Sequence, residues 1–527
     1  LLPTDERLHI LRADYLDLMS KRLELPRPVE RARARFQDDH TAIDPGHRRK
    51  KFVAHMERMF VLAGDAQQTA AAKAATVMRI ETELAKRSLD RVSRRDPNKT
   101  YHKYKLAELI SLAPGIDWQK FFTGLGLQNV QALNVSYPPF VRQIESVTVQ
   151  NSLDDLKTYL SWRVLNSSAS MLTTEIDRAD WEFYSKTLGG AQQQRPRWKR
   201  CVDLTDDLLG DALGRKYVER TFGAEGKQRT LEMVRDIESA MESDIKALDW
   251  MQDETKQQAL AKLHAIANKI GYPDKWKDYS SVKIDREDAL GNMLRLREWA
   301  VEDDIRKVGK PIDRGEWGMS PPTVNAYYNP QMNDINFPAG ILQAPFYSNR
   351  VEDAVNYGAI GAVIGHELTH GFDDQGRQYD AQGNLRDWWT AADGKAFEAR
   401  ATCMADQYSA YISVEDVKLN GRLTLGENIA DNGGVRLAMM AFMQRLKDKT
   451  GKVDGFTPEQ RFFLGYGQIW CQSVRPERAR MLATVDPHSP GKYRVNGVVA
   501  NDPAFAKAFS CKAGQPMARA EKGCRVW

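Results

Sequence analysis

Two histidines flank a glutamate and two further residues in VIGHELTH, residues 363–370, of a chain that holds nine histidines in all. At positions i and i+4 the imidazoles of His366 and His370 share one helix face with their Cβ atoms about 5–6 Å apart, so both can reach one divalent ion. Glu367 points to the side of that ion, where it can hold a water. The apolar lead-in Val363-Ile364-Gly365 predicts a buried helix, in which imidazoles and a carboxylate without a purpose would be costly. The plainer alternative is a hydrogen-bonded pair of core histidines. A third histidine in the longer H-E-x-x-H-x-x-G-x-x-H pattern is excluded, because Asp373 and Gly376 occupy the required places.

The best third ligand is Glu427, in GENIADNGG. Glu427 and Asp431 stand four apart, so a second helix presents two carboxylates on one face. Glu427 can bind the metal while Asp431 accepts the free ring N–H of a ligating histidine. Alone, such a carboxylate pair would usually be a solvated stripe, but Ile429, Gly433 and Gly434 make the segment too apolar and glycine-rich for that. Two histidines and a glutamate suit one Zn²⁺ and leave a position for water. Zinc makes that water acidic, and Glu367 is placed to take its proton and to deliver it to a leaving amine. The oxyanion formed on a carbonyl would need a further donor.

The first half of the chain reads as helical. Val234, Ile237, Met241, Ile245, Leu248 and Met251 recur at steps of three and four. Leu260, Leu263, Ile266 and Ile270 predict a second helix that stops at Gly271. Phe52–Leu62 and Ala70–Leu89 behave similarly. Beyond Tyr272 the composition shifts to Pro and Gly, and two short strands are expected at Thr323–Tyr328 and Ile335–Phe337 around Asn329-Pro330. Helices resume from Asp353 through the histidines, over Gly426–Met443, and over Glu459–Cys471. The expected organisation is a helical lobe, residues 1–270, followed by a mixed α+β lobe that carries the histidines, residues 271–527.

Apolar residues at 42% and charged residues at 28% are ordinary for a globular protein, and no apolar run approaches a membrane span. The net charge is +5, and the basic clusters Arg48–Lys51 and Arg195–Arg200 come with no nucleic-acid motif, so solvated faces are the reading taken. Leu1 opens the chain without a signal-peptide pattern. The five cysteines, Cys201, Cys403, Cys471, Cys511 and Cys524, form no close metal-binding pair.

VNAYYNP, INFPAGILQAPF, VIGHELTHGFDDQGR, LGENIADNGG, DPHSPGKYRVNG and the final CRVW, in this order and spacing, resemble the neprilysin and endothelin-converting-enzyme family of zinc endopeptidases. The resemblance is strong from about Leu248 onward and weaker from about Phe52. It implies a mainly α protein with a small α+β part: a thermolysin-like zinc lobe facing a large helical lobe, with a cavity that admits peptides. It implies that Asn325 and Ala326 hold the substrate backbone extended, and that His488 and Arg494 stabilise the oxyanion and grip a carbonyl. Read without it, Arg494 would be a surface arginine on a strand. Phe346, Val363, Ile469 and Trp470 resemble the pocket for the side chain just after the cut bond, which implies cleavage before large hydrophobic residues. Ala362 is smaller than the methionine of some relatives and would widen that pocket. The implied enzyme is a monomer with oligopeptide substrates and no nucleic-acid partner.

In that family the positions of Cys403 and Cys524 pair with each other, and those of Cys201, Cys471 and Cys511 pair with cysteines of a longer N-terminal part. The expectation is therefore an N-terminally incomplete chain of an extracytoplasmic, disulfide-bearing enzyme. The stretch Leu23–Phe36 departs from the family by being arginine-rich, and no physical account of it emerges. An aminopeptidase with the same ligands is disfavoured, since Glu427 lies 57 positions beyond His370, far more than such enzymes use. A non-catalytic peptide-binding protein is disfavoured by the intact set Glu367, Asp431 and Arg494.

Overall fold

The computed structural model describes residues 45–527 apart from 447–450 and 520–522; the arginine-rich stretch 23–36 lies outside the described residues. Two compact units emerge. Among the described residues, the first comprises residues 45–200, 280–312 and 475–485, and the second 201–279, 313–474 and 486–527. A single cut at 270/271 does not reproduce this division. The segment 201–270 belongs with the histidines, because its helices share their apolar core.

The described part of the first unit is mainly helical, with one short antiparallel pair, Lys103–Lys105 against Ala132–Asn134. Helices α1 (Pro45–Leu62), α2 (Gln67–Ala85), α3 (Pro138–Gln150) and α4 (Leu153–Ser168) enclose a core that includes Met56, Met59, Val77, Ile144 and Trp162. His55 lies in this core, stacked on Phe183 with ring centroids 4.6 Å apart, and its Nε2 has no hydrogen-bond partner among the described residues.

In the second unit, α5 (Ala224–Ala247) buries Val234, Ile237, Met241 and Ile245 along one face. Leu248 and Met251 are buried too, but they follow the helix end. Next comes α6 (Asp253–His264), which carries Leu260 and Leu263. Ile266 and Ile270 do not continue it. The chain enters strand β1 (Ala267–Gly271) instead. There Ile270 pairs in parallel register with Phe337 of β3, a long-range pairing that overrides the helical spacing. Strand β2 (Tyr327–Asn329) is shorter than expected and joins β3 (Asp334–Pro338) antiparallel. Sheet order is β1-β3-β2, so β2 is an edge strand.

The histidine helix begins at Asp353, passes a π-helical turn at Tyr357–Gly361, and continues as α7 (Ala362–His370). Beyond it come α8 (Ala391–Ser409), α9 (Leu425–Leu446), α10 (Pro458–Ile469) and α11 (Gly491–Val499). A Thr457–Gln460 capping box with Pro458 at the first helical position starts α10. The bridge Cys403–Cys524, with Cα atoms 5.5 Å apart, ties α8 to the segment that ends in the buried Trp527. Cys201, Cys471 and Cys511 are free thiols. No described helix is long and apolar enough to cross a membrane.

Candidate metal centre

Helix α7 and most of α9 are buried, and the two touch backbone to backbone. A Cβ on Gly365 would lie 2.6 Å from the Gly434 carbonyl oxygen, and one on Gly434 would lie 2.5 Å from the His366 nitrogen. Only glycine at both places permits this approach. It brings the H-E-x-x-H turn of α7 against the first turns of α9, where Glu427 and Asp431 project.

The result is a cluster of inward-facing donors. His366 Nε2 and His370 Nε2 are 3.0 Å apart. Glu427 Oε2 lies 3.3 Å from the first and 3.6 Å from the second. On the far side of each ring a carboxylate fixes the imidazole: Asp431 Oδ1 is 2.8 Å from His366 Nδ1, and Asp373 Oδ2 is 2.7 Å from His370 Nδ1. With protons on Nδ1, both Nε2 atoms present lone pairs towards each other and towards the Glu427 oxygen, which is buried and accepts no hydrogen bond. That arrangement is repulsive unless a cation is shared. Zinc–ligand distances near 2.0–2.1 Å in a tetrahedron need donor separations of about 3.3–3.4 Å, and the observed spacings bracket this. The donor set fits zinc.

The charges agree. Burial opposes ionisation of Glu427, yet His488, His370 and His366 hold its carboxyl well below the usual range. Burial likewise opposes a charge on His370, yet Glu427 and Asp373 hold the imidazole well above its ordinary value. Asp431 is held low by Arg494 and His366 against its burial. Arg494 is paired with Asp431, so the carboxylate of Glu427 is left facing the two imidazoles, a set that a shared divalent ion would complete. Glu367 differs: burial is the largest influence and raises its carboxyl. A carboxylate oxygen of Glu367 lies within 4.8 Å of donor atoms of both imidazoles.

Arg494 is neither exposed nor on a strand. It lies on α11, buried, with Nε and Nη2 donating to Asp431 at 2.8 and 2.6 Å. Its guanidinium sits 3.8 Å from the Trp470 ring centroid, and the Tyr466 hydroxyl donates to its carbonyl at 2.6 Å. The Pro490 carbonyl begins a helix here by accepting from the backbone N–H groups of Tyr493 and Arg494. His488 Nε2 is 3.3 Å from Glu427 Oε2, and its Nδ1 is 2.8 Å from Asp486. Ala326 is buried and Asn325 exposed, immediately before β2. Phe346, Val363, Ile469 and Trp470 belong to one apolar cluster, and the Phe346 carbonyl accepts from Ile360 N–H in the π-helical turn.

Sequence reasoning missed Asp373 and Asp486. Their signals were present: an aspartate three residues past the second histidine, and an aspartate two before His488. It also missed a buried strut, in which Ser489 Oγ donates to Asn428 Oδ1 at 2.7 Å and links the His488 loop to α9.

Two histidines and a glutamate from separate helices form the donor set of the thermolysin-like zinc peptidases. The chain belongs to peptidase family M13, matching it over residues 15–273 and 325–526. It is 39% identical to endothelin-converting enzyme 1 of Mus musculus over 469 residues, 86% of this chain and 60% of that protein. It is 35% identical to an endothelin-converting enzyme homolog of Locusta migratoria over 499 residues, 90% of this chain and 68% of that one. The chain thus spans about three-fifths of the mouse relative. Among solved structures, inhibitor-bound zinc metalloprotease Zmp1 of Mycobacterium tuberculosis is 40% identical with a TM-score of 0.88, covering 94% of this chain and 76% of that one.

Proposed function

We propose that the chain is a zinc-dependent endopeptidase of the gluzincin kind, hydrolysing oligopeptides with one zinc ion held by His366, His370 and Glu427. One observation carries the reading: three donor atoms from two helices converge to within 3.0–3.6 Å of one another, beside the buried carboxyl of Glu367. Zinc bound there supplies Lewis acidity, polarising water and the scissile carbonyl. Glu367 accepts a proton from the attacking water and passes it to the leaving amine. His488, oriented by Asp486, and Arg494, oriented by Asp431, donate to the oxyanion.

Asn325 and Ala326 lead into edge strand β2 and hold the substrate extended beside it. Phe346, Val363, Ile469 and Trp470 line an apolar pocket for the residue after the cut bond, so cleavage falls before large hydrophobic residues. The protein works outside the cytoplasm, a reading supported by its bridge Cys403–Cys524, and it works as a monomer.

Glu367→Gln tests the mechanism. Peptide turnover should fall by about 10²–10⁴-fold while zinc content stays near one ion per chain. Unchanged turnover would exclude Glu367 as the base. Peptides blocked at the N-terminus should still be cut, as an aminopeptidase could not do.

A further inference from the structure

Lys262 on α6 is 1% exposed, and the site just described makes no use of it. Its Nζ donates to three backbone carbonyls: Gly371 at 2.7 Å, Gly376 at 2.6 Å and Tyr379 at 2.7 Å. The rings of Tyr328 and Phe372 flank it, with centroids 5.8 and 5.5 Å away. All three acceptors lie in the loop that leaves the histidine helix. Three carbonyl oxygens gathered on one point repel each other without a cation, and serving all three takes an ammonium, with its three N–H groups. Burial nevertheless pushes this group down to about 7, against the pull of Asp373 and Asp380. An isolated buried lysine with so costly a charge calls for a reason.

The reason lies in what the loop holds. Asp373 is the carboxylate behind His370, and its Oδ1 accepts from the backbone N–H groups of Gln375 and Gly376 at 2.8 and 2.7 Å. A Cβ on Gly376 would lie 1.8 Å from the His370 carbonyl oxygen, so the loop is folded hard against the helix end. Lys262 grips Gly371, next to His370, and Gly376, whose N–H steadies Asp373. We propose that Lys262 is a positioning residue for the metal centre: a tethered cation that fixes the Gly371–Tyr379 loop so that Asp373 orients the His370 ring. This role rests on His370 being a metal ligand, as proposed above.

The test is zinc release into a chelator, with hydrogen exchange read on the same proteins. Loss of such an outer partner typically weakens metal binding 10–100-fold. Lys262→Met should therefore release zinc at least about tenfold faster than wild type, with faster exchange confined to amides 371–379. Lowered thermal stability with wild-type zinc release would make Lys262 a core residue only and overturn the proposal. Should the methionine variant not fold, Lys262→Gln, which offers two N–H groups and no charge, replaces it under the same criterion. Wild-type protein stripped of zinc must keep amides 371–379 protected; rapid exchange there overturns the proposal without any variant. Wild-type protein that retains no zinc would instead overturn the metal-centre reading, and this role with it.

Discussion

Replacing Gly434 by alanine asks how finely the donor cluster depends on the contact between α7 and α9. The added Cβ would stand 2.5 Å from the His366 nitrogen and 2.6 Å from the Ala362 carbonyl oxygen. Both neighbours are backbone, so no side chain can swing aside. Ordinary contact begins near 3.4 Å, so the helices must part by about 0.9 Å. Zinc ligands tolerate errors of only about 0.2 Å, and a shift of about 1 Å in a reacting group can cost about 10²-fold in rate. Overpacking of this kind costs about 1–3 kcal/mol. Gly434→Ala should therefore fold with a lowered melting temperature, hold zinc at least tenfold more weakly, and lose about two orders of magnitude in kcat/KM. Gly467→Ala is the control, because a Cβ there meets nothing within 4 Å and the residue lies inside α10. It should be neutral or stabilising by up to about 1 kcal/mol. Full zinc affinity and turnover in Gly434→Ala, measured by chelator competition and peptide hydrolysis, would refute the claim that backbone contact sets the ligand geometry.

Two further outcomes concern stability. The bridge Cys403–Cys524 closes a loop of 121 residues, so Cys403→Ser should cost about 3–5 kcal/mol in denaturant unfolding, and reductant should mimic it in wild type. His55 is lowered to about 3 by burial and by Arg58, so the folded state prefers the neutral ring. Unfolded chains bind that proton below about 6.5, so stability should fall as pH drops from 6.5 towards 3, by up to about 1.4 kcal/mol per pH unit. His55→Phe should remove this slope, seen as a melting temperature that rises relative to wild type as the pH is lowered from 6.5 towards 3.

Much of the centre was legible because its residue types are expensive to bury. His366, His370 and Glu427 stand out in apolar helices, and the 3.6-residue period fixes which side chains share a face. Gly433 and Gly434 were also visible as oddities, but the neighbours that made them necessary, the Thr369 side chain and the backbone of Ala362 and His366, lie on another helix. The failures share a cause. Ile266 and Ile270 kept a helical spacing that pairing with β3 overrode, and Arg494 gave no local sign of burial because its partner, Asp431, lies 63 positions upstream. Asp373 escaped notice because a short carboxylate after a helix usually caps or turns the chain. Lys262 escaped for the same reason as Arg494: what makes its burial tolerable is a loop more than a hundred residues away.

The two compact units exchange the chain at 200/201, 279/280, 312/313, 474/475 and 485/486. Neither can therefore be excised as one stretch of sequence. A fragment beginning at residue 271 would keep the histidines, Glu427 and Arg494 but lack β1 and the lysine that grips the loop beyond His370. Such a fragment would carry the whole signature and still lack the scaffold, so minimal versions of this protein must be designed by rejoining segments, not by trimming.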